Sequence, residues 1–226
     1  MTNIGIILPD PGFHDALRDL TRRTGTLLII DETHTICAGP GGYTAVHRLA
    51  PDIVTLGKPM GSGVPGAAYG LSAGVAERVR ERMRADEADT GGIGGTLAGN
   101  ALSLAAMRAT LAHVLTADAF ARALPLAEQW ERDVAGVIRE FGLPWIVQRL
   151  GCRAEYWFRP APPKNGGEAA AAADPVLDRY MHLAALNRGI LLTPFHNMAL
   201  IAPDVTAADI DRHTAVFRES VRALVR

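Results

Sequence analysis

Two side chains of opposite charge follow two short apolar runs in this sequence. Residues 27–30 form the first run, directly before Asp31, and residues 53–56 form the second, which is followed by one glycine and Lys58. Short, continuous apolar runs are typical of buried strands in an α/β protein. Because an open α/β sheet binds its ligands at the carboxyl ends of its strands, we expect Asp31 and Lys58 to meet in one crevice.

A lysine and an acid brought together in this way suit few reactions. Lysine can hold pyridoxal 5′-phosphate as a Schiff base, and an acid can pair with the pyridinium nitrogen of the same cofactor. The acid keeps the ring nitrogen protonated, and the lysine carries protons once the substrate has displaced it. The pair therefore indicates a pyridoxal phosphate site, although the spacing between Asp31 and Lys58 does not decide this by itself.

The glycine before Lys58 also invites comparison with a phosphate-binding P-loop. A P-loop with its lysine at position 58 requires glycine at position 52 and serine or threonine at position 59. This chain has Asp52 and Pro59 at those positions, so the sequence excludes a P-loop here.

The residues after the first apolar run can also be compared with a metal site. Asp31, Glu32 and His34 are possible ligands, and they lie within four consecutive positions. A second cluster of histidines, which a metal centre built around them would require, does not accompany them. The sequence therefore favours a site without metal.

Four short motifs around the pair resemble the class III aminotransferases and the related glutamate-1-semialdehyde aminomutases, and they occur in the family's order. The motifs are NIGIILP at residues 3–9, LIIDE at 28–32, GKP at 57–59 and GTLAGN at 95–100. The resemblance covers essentially the whole chain. It implies an α/β protein, with part of a fold type I large domain at residues 1–122 and a small α+β C-terminal domain at residues 123–226.

The same resemblance implies roles for individual residues. It places Lys58 as the catalytic Schiff-base lysine, Asp31 on the pyridine nitrogen and Thr96 on the cofactor phosphate of the neighbouring subunit. The family commonly has Val-Met where this chain has Thr33-His34. Thr33 is expected against the face of the ring and His34 as a donor near Asp31.

The function implied is transfer of an amino group between a small-molecule amino donor and an oxo acid or aldehyde, with pyridoxal phosphate as cofactor. An intramolecular exchange like that of the aminomutases uses the same lysine and acid and remains an alternative. The family's sites are shared across a dimer, which predicts a homodimer as one partner arrangement.

Family members are about twice as long as this chain of 226 residues. The resemblance implies that the first half of the large domain, the Ser-Gly phosphate loop and the aromatic that stacks on the ring would precede Met1. We therefore expect a C-terminal half, which a truncated gene, an internal start or a split enzyme would produce. A partner chain carrying the other half, or a fragment without catalytic activity, are the remaining alternatives.

Composition sets limits on other function classes. The formal net charge is −1, and Lys and Arg form no long run, which argues against nucleic acid or an acidic membrane surface as a partner. The longest apolar stretches are too short for a membrane span, and no secretory signal is recognisable at the N-terminus, so the cytoplasm is expected. The two cysteines, Cys37 and Cys152, are expected to be free thiols.

Further expectations concern the second half of the sequence. The alanine-rich segment 101–115 predicts a well-buried helix, and the Pro, Gly and Ala content of segment 160–173 predicts a mobile excursion. Arg153 is interpreted as a fork for a substrate carboxylate or as half of a surface pair with Glu155. His196 is interpreted as lining the substrate entrance or as a capping residue.

Overall fold

The computed structural model describes residues 1–84, 95, 97–193 and 196–226 of the chain. These residues form two compact units. Unit 1 contains Met1–Pro9, Cys37–Gly39 and Ala117–Arg226, and unit 2 contains Asp10–Ile36 and Pro40–Thr116. The domain division expected between residues 122 and 123 remains a prediction.

The described residues of unit 2 form one small sheet and four helices. The strands are β1 (Ile29–Asp31), β2 (Ile53–Leu56) and β3 (Ala68–Leu71). The helices are α1 (Phe13–Thr24), α2 (Gly42–Val46), α3 (Ala73–Arg84) and α4 (Ala101–His113). A short 3₁₀ helix occupies Lys58–Gly61, and another, Thr35–Ala38, is divided between the two units.

The sheet of unit 2 has the order β1-β2-β3. Strands β1 and β2 run parallel, and the register places Asp31 beside Thr55. Strand β3 returns antiparallel to β2, with Leu56 opposite Ala68. Since β1 and β2 are parallel, their carboxyl ends lie at the same edge of the sheet, as the positions of Asp31 and Lys58 require.

The start of this sheet is tied to α1 by one carboxylate. Arg18 of α1 donates two hydrogen bonds, of 2.7 and 3.1 Å, to the two oxygens of Asp52. The backbone amide of Leu28 donates a third, of 2.8 Å, to the same side chain. Helix α1 itself ends at Gly25, whose left-handed backbone (φ 66°) suits a residue without a β-carbon. These bonds align the beginnings of β1 and β2.

The expectation that both strands are buried is wrong. Ile29 in β1 is 56% exposed, and all four residues of β2 are only partly buried. Apolar runs predict burial because most strands of an α/β sheet are covered on both faces. The elements that this chain packs around β1 and β2 leave part of these faces open.

Helix α4 is less buried than expected. Its buried residues are the polar Ser103 and Thr110, whereas Leu102 is 70% exposed. An alanine-rich composition indicates a helix that packs closely, but it does not say which face is covered. The covered face of α4 is the one that meets the loop after Lys58.

Unit 1 is built around an antiparallel sheet of order β4-β5-β6, which comprises β4 (Ile146–Leu150), β5 (Arg153–Trp157) and β6 (Met198–Leu200). The helices are α5 (Ala117–Glu140), α6 (Gly166–Ala171), α7 (Pro175–Leu186) and α8 (Ala207–Leu224). The core packs α5 and α8 against the sheet. Its largest fully buried side chain is Trp130, which is 1% exposed and lies near the ring of Tyr156.

Segment 160–173 is more regular than the expected excursion. It contains α6, whose first amides are capped by the Asn165 side chain through a 2.9 Å bond from the amide of Glu168. Ala169 on this helix is buried in a small cluster with Ile7 and Trp157. The alanines that indicated low complexity therefore form a packed helical turn, because small side chains allow close approach to the large indole.

Neither unit contains a described helix that is long and apolar enough to cross a membrane. Cys37 and Cys152 are both free thiols, as expected. The backbone amide of Cys152 donates a 2.9 Å hydrogen bond to the carbonyl of Cys37 within unit 1.

Candidate active site

Asp31 and Lys58 lie at one edge of the sheet in unit 2. Asp31 is the last residue of β1 and pairs in register with Thr55, while Lys58 follows the end of β2 after Gly57. Both side chains are exposed. Parallel pairing of β1 and β2 therefore puts an acid and an amine on neighbouring strand ends, as a ligand site at this edge requires.

The carboxylate of Asp31 is held by the turn that follows it. The backbone amide of Thr33 donates a 2.8 Å hydrogen bond to Oδ1 of Asp31. The pKa of Asp31 lies below its usual value, chiefly because the Thr33 hydroxyl also donates to it, and then because of the Thr33 amide; the Thr55 hydroxyl and the charge of His34 act in the same direction. Asp31 is therefore an anion at neutral pH.

Thr33 also links Asp31 to the residue before the lysine. A β-carbon at position 57 would lie 3.4 Å from Oγ1 and 3.5 Å from Cγ2 of Thr33, so the threonine side chain rests against the backbone of Gly57. The hydroxyl of Thr33 thus donates to Asp31, while its side chain packs beside Gly57, the residue before Lys58. The loop after β1 and the loop after β2 meet at this point.

The backbone of Lys58 adopts an uncommon conformation. Its φ is 37°, in the left-handed region that residues with a β-carbon seldom occupy. Such conformations persist where the surrounding structure holds them, and they cluster at functional sites. The amine is therefore carried by a defined turn at the strand end.

The segment after Lys58 is anchored to α4. It opens with a 3₁₀ turn, and Met60 within that turn is buried. The hydroxyls of Ser62 and Thr110 lie 2.8 Å apart, and the Ser103 hydroxyl donates a 2.5 Å bond to the carbonyl of Pro65. These contacts anchor the loop to α4 at Ser62 and at Pro65.

Two further expected site residues have different outcomes. His34 is half-buried, and it lies close enough to Asp31 for its charge to lower the pKa of that carboxylate. Thr96 falls outside the described residues, so its role at the cofactor phosphate remains a prediction. Helix α4 begins at Ala101 with Asn100 as its N-cap.

The two positions considered in the second half of the sequence both lie in unit 1. Arg153 is 4% exposed and forms an ion pair of 3.6 Å with Glu155, which is equally buried. The pair of Arg153 and Glu155 therefore exists, but the expectation that it lies at the surface is wrong. His196 lies 3.6 Å from the other oxygen of Glu155 and lines a small pocket with Tyr156, Asp178, His182, Leu192, Thr193 and Asn197. Its expected place at the substrate entrance remains a prediction.

Sequence reasoning did not identify two neighbours of Asp31. The Thr55 hydroxyl reaches Asp31 from the adjacent strand, and a parallel register cannot be deduced from an apolar run alone. The sequence indicates Glu32 only as a possible metal ligand, yet its carboxylate is fully buried among hydrogen-bond donors of its own unit. An acid inside a strand-end motif was the available signal for Glu32.

Comparison with known proteins decides the family. The family model described as Aminotransferase class-III matches residues 1–140. The chain belongs to the class III aminotransferase family. This class III chain is 34% identical over 226 residues to the glutamate-1-semialdehyde 2,1-aminomutase of Thermomicrobium roseum, covering 99% of this chain and 51% of that relative.

Solved structures give the same picture of this class III chain. A glutamate-1-semialdehyde aminomutase from Pseudomonas aeruginosa PAO1 is 48% identical with a TM-score of 0.94, covering 99% of this chain and 50% of the other. A variant of that protein, 47% identical, is known in complex with PMP. A β-phenylalanine aminotransferase from Variovorax paradoxus is 25% identical with a TM-score of 0.85, covering 97% of this chain and 50% of the other.

The class III chain spans about half the length of the curated relatives it matches, 51% in the case of the Thermomicrobium protein. The expected fold class is confirmed: a partial fold type I large domain followed by a small α+β domain. The family depends on pyridoxal 5′-phosphate, so the expected cofactor is also confirmed.

The described residues fit this cofactor. An anionic carboxylate at Asp31 suits a protonated ring nitrogen, and the exposed amine of Lys58 stands at the end of the neighbouring strand. Among the described residues, no group of three or more His, Cys, Asp or Glu side chains is arranged to hold a metal ion.

Proposed function

We propose that this chain carries the lysine and the acid of a pyridoxal phosphate site, and that the whole enzyme transfers an amino group between a small-molecule amino donor and an oxo acid or aldehyde. The observation that supports this most is the placement of Asp31 and Lys58 at adjacent carboxyl ends of the parallel strands β1 and β2. Membership of the class III family supplies the chemistry that these two residues serve.

Each residue has one task in this proposal. The carboxylate of Asp31, kept ionised by the two Thr33 donors, holds a proton on the pyridine nitrogen. The amine of Lys58 would hold the cofactor through its aldehyde group and, as a free amine, would move a proton at the substrate carbon. Thr33 borders the ring, and His34 adds positive charge near Asp31 when it is protonated. When bound, pyridoxal phosphate supplies a sink for the electrons that develop on the substrate carbon.

Intramolecular exchange is the second candidate function. It is favoured by the relatives from Thermomicrobium roseum and Pseudomonas aeruginosa, which are both named glutamate-1-semialdehyde aminomutases. An enzyme of this kind keeps the amino nitrogen of its substrate in the product. ¹⁵N-labelled glutamate-1-semialdehyde, given to an assembled enzyme without any other amino donor or acceptor, distinguishes the two functions. Labelled product supports exchange, whereas dependence on a second substrate supports transamination.

Partners are part of the proposal because the chain spans about half of its relatives. A second copy, a chain carrying the other half of the large domain, or both would complete the site. The exposed leucines of α4 and the uncovered face of β1 support such association. A fragment without catalytic activity is the alternative if no partner restores cofactor binding.

The proposed lysine is tested without measuring turnover. The chain is mixed with pyridoxal phosphate, reduced with borohydride and digested, and the added mass is located by mass spectrometry. The sequence contains two lysines, Lys58 and Lys164. We expect the label on Lys58, its loss in Lys58→Arg and its retention in Lys164→Arg. A label confined to Lys164 would show that the assignment is wrong.

A further inference from the structure

The residue after Asp31 is a carboxylate buried as deeply as a core side chain. Glu32 is 1% exposed. It accepts a 2.6 Å hydrogen bond from the hydroxyl of Thr35, a 2.9 Å bond from the amide of Tyr43 and a further bond from the amide of Thr44. A charge is tolerated at such depth because several donors surround it.

Two of these donors are the unpaired amides at the start of α2. The residue before this helix is Gly41, which has no side chain to cap it, so Glu32 supplies the acceptor from another part of the chain. Gly42, the first residue of α2, has φ 72°, and a β-carbon there would lie only 2.8 to 3.0 Å from the Glu32 carboxyl group. The glycine is needed for this close approach.

The backbone of Glu32 is held as firmly as its side chain. Its amide donates a 2.8 Å bond to the carbonyl of Thr55, and its carbonyl accepts a 3.0 Å bond from the amide of Ile36. Residue 32 is therefore fixed to β2 on one side and to the following 3₁₀ turn on the other. Asp31 precedes this fixed point and Thr33 follows it.

We propose that Glu32 is a positioning residue of the cofactor site, which fastens the unit 2 residues 33–36 and 40–44 against the end of β1 and so holds Asp31 and Thr33 in place. The segment must fold back for the Thr33 amide to reach Asp31 and for the Thr33 side chain to lie against Gly57. The proposal rests on the function proposed for Asp31.

This role also accounts for Glu32 better than metal binding does. Its carboxylate oxygens face two backbone N–H groups and one hydroxyl, all of which are donors. A cation placed there would have to displace these donors and leave the amides of α2 without an acceptor. The Glu32 carboxylate therefore accepts hydrogen bonds from the protein itself and does not bind a cation.

The test is the variant Glu32→Gln in the full 226-residue chain. Glutamine keeps the size but presents one oxygen and one NH₂ group to three donors, so at least one of them loses its acceptor. We expect the amides of Tyr43 and Thr44 to exchange with solvent about tenfold faster or more. By NMR titration, the pKa of Asp31 is expected to rise towards its usual value because Thr33 is no longer held. The matched control is Glu77→Gln, an exposed acid on α3 of the same unit, which should change neither quantity.

The outcomes separate this inference from the proposed function. Unchanged amide exchange and an unchanged Asp31 titration in Glu32→Gln would overturn the positioning role, whether or not Lys58 is labelled. If the native chain is not labelled at Lys58 while the Asp31 titration responds to Glu32→Gln, the positioning role stands and the cofactor role fails. If Glu32→Gln does not fold, Thr35→Ala removes one donor and leaves the carboxylate. A smaller change in the same direction is then expected, and no change would overturn the inference.

Discussion

The amide of Thr33 donates a 2.8 Å hydrogen bond to Oδ1 of Asp31, two residues earlier in the chain. The same threonine packs its side chain against Gly57, the residue before Lys58. One residue thus joins the acid to the strand end that carries the lysine. This arrangement makes the ionisation of Asp31 depend on a side chain that the family resemblance had placed only beside the cofactor ring.

Replacing Thr33 by valine should therefore raise the pKa of Asp31. Valine keeps the branched shape and the backbone amide but removes the hydroxyl, which is the largest cause of the lowered pKa. NMR titration of the Asp31 carboxyl carbon measures the change. Thr26→Val, at an exposed threonine of the same unit, is the control and should leave the titration unaltered. Equal titration curves for native chain and Thr33→Val would contradict this account.

Asp31→Asn should impair any enzyme that contains this chain. The amide cannot keep the pyridine nitrogen protonated, so the transition state loses a charge that stabilises it. Turnover by the assembled enzyme is expected to fall on the order of hundredfold or more. Steady-state kinetics measure this loss, with Asp15→Asn on the exposed part of α1 as the control. Near-normal turnover by Asp31→Asn would show that Asp31 does not have the role proposed for it.

The isolated chain should bind pyridoxal phosphate weakly and should associate. The resemblance implies that several phosphate donors lie in the part of its relatives that this chain does not span, and each charge-assisted bond that is absent costs roughly 1.5 to 3 kcal/mol. Leu104 and Leu111 lie one above the other on α4 and are 52% and 49% exposed, which favours association. A cofactor titration followed by absorbance and sizing by light scattering measure the two effects.

Two sets of variants test whether the leucines of α4 carry this association. Leu104→Gln combined with Leu111→Gln should lower the average mass in light scattering, because it removes apolar surface from α4. Leu191→Gln, at a leucine of unit 1 that is 80% exposed, should not lower it if α4 carries the contact. A monodisperse native monomer that binds the cofactor at micromolar affinity and transaminates would refute both parts of this prediction.

Unit 1 should lose stability in mild acid through His213. This side chain is buried, and its ring centre lies 5.2 Å from that of Trp130 and 6.1 Å from that of Phe217. Burial lowers its pKa to about 4. The unfolded chain takes up a proton near the usual value of 6.5, whereas the folded chain resists it until about pH 4. Stability is therefore full above pH 6.5 and falls as the pH decreases towards 4, by up to about 3 kcal/mol.

Urea unfolding at several pH values measures this loss. All three tryptophans of the sequence, Trp130, Trp145 and Trp157, lie in unit 1, so their fluorescence reports on that unit. His213→Leu should flatten the pH dependence between 6.5 and 4, while His47→Leu at an exposed position of unit 2 should not. An identical pH dependence in native chain and His213→Leu would exclude His213 as the cause.

The elements of this protein were largely predictable because their signals are local. Helix α1 ends at Gly25, α7 begins with Asp174 as N-cap before Pro175, and α8 begins with a capping box formed by Thr206 and Asp209. Each signal consists of residues a few positions apart, whose effect on the backbone does not depend on the rest of the chain. The placement of Asp31 and Lys58 at strand ends was predictable for the same reason.

Burial and pairing were decided by the tertiary structure. The sequence could not reveal that Thr55 stands beside Asp31, or that Glu32 is enclosed by donors from residues 35, 43 and 44. It suggested a surface for the pair of Arg153 and Glu155, which is buried, and burial for α4, whose leucines are exposed. A residue's own type and spacing set its local conformation, whereas its solvent exposure depends on which distant segments pack against it.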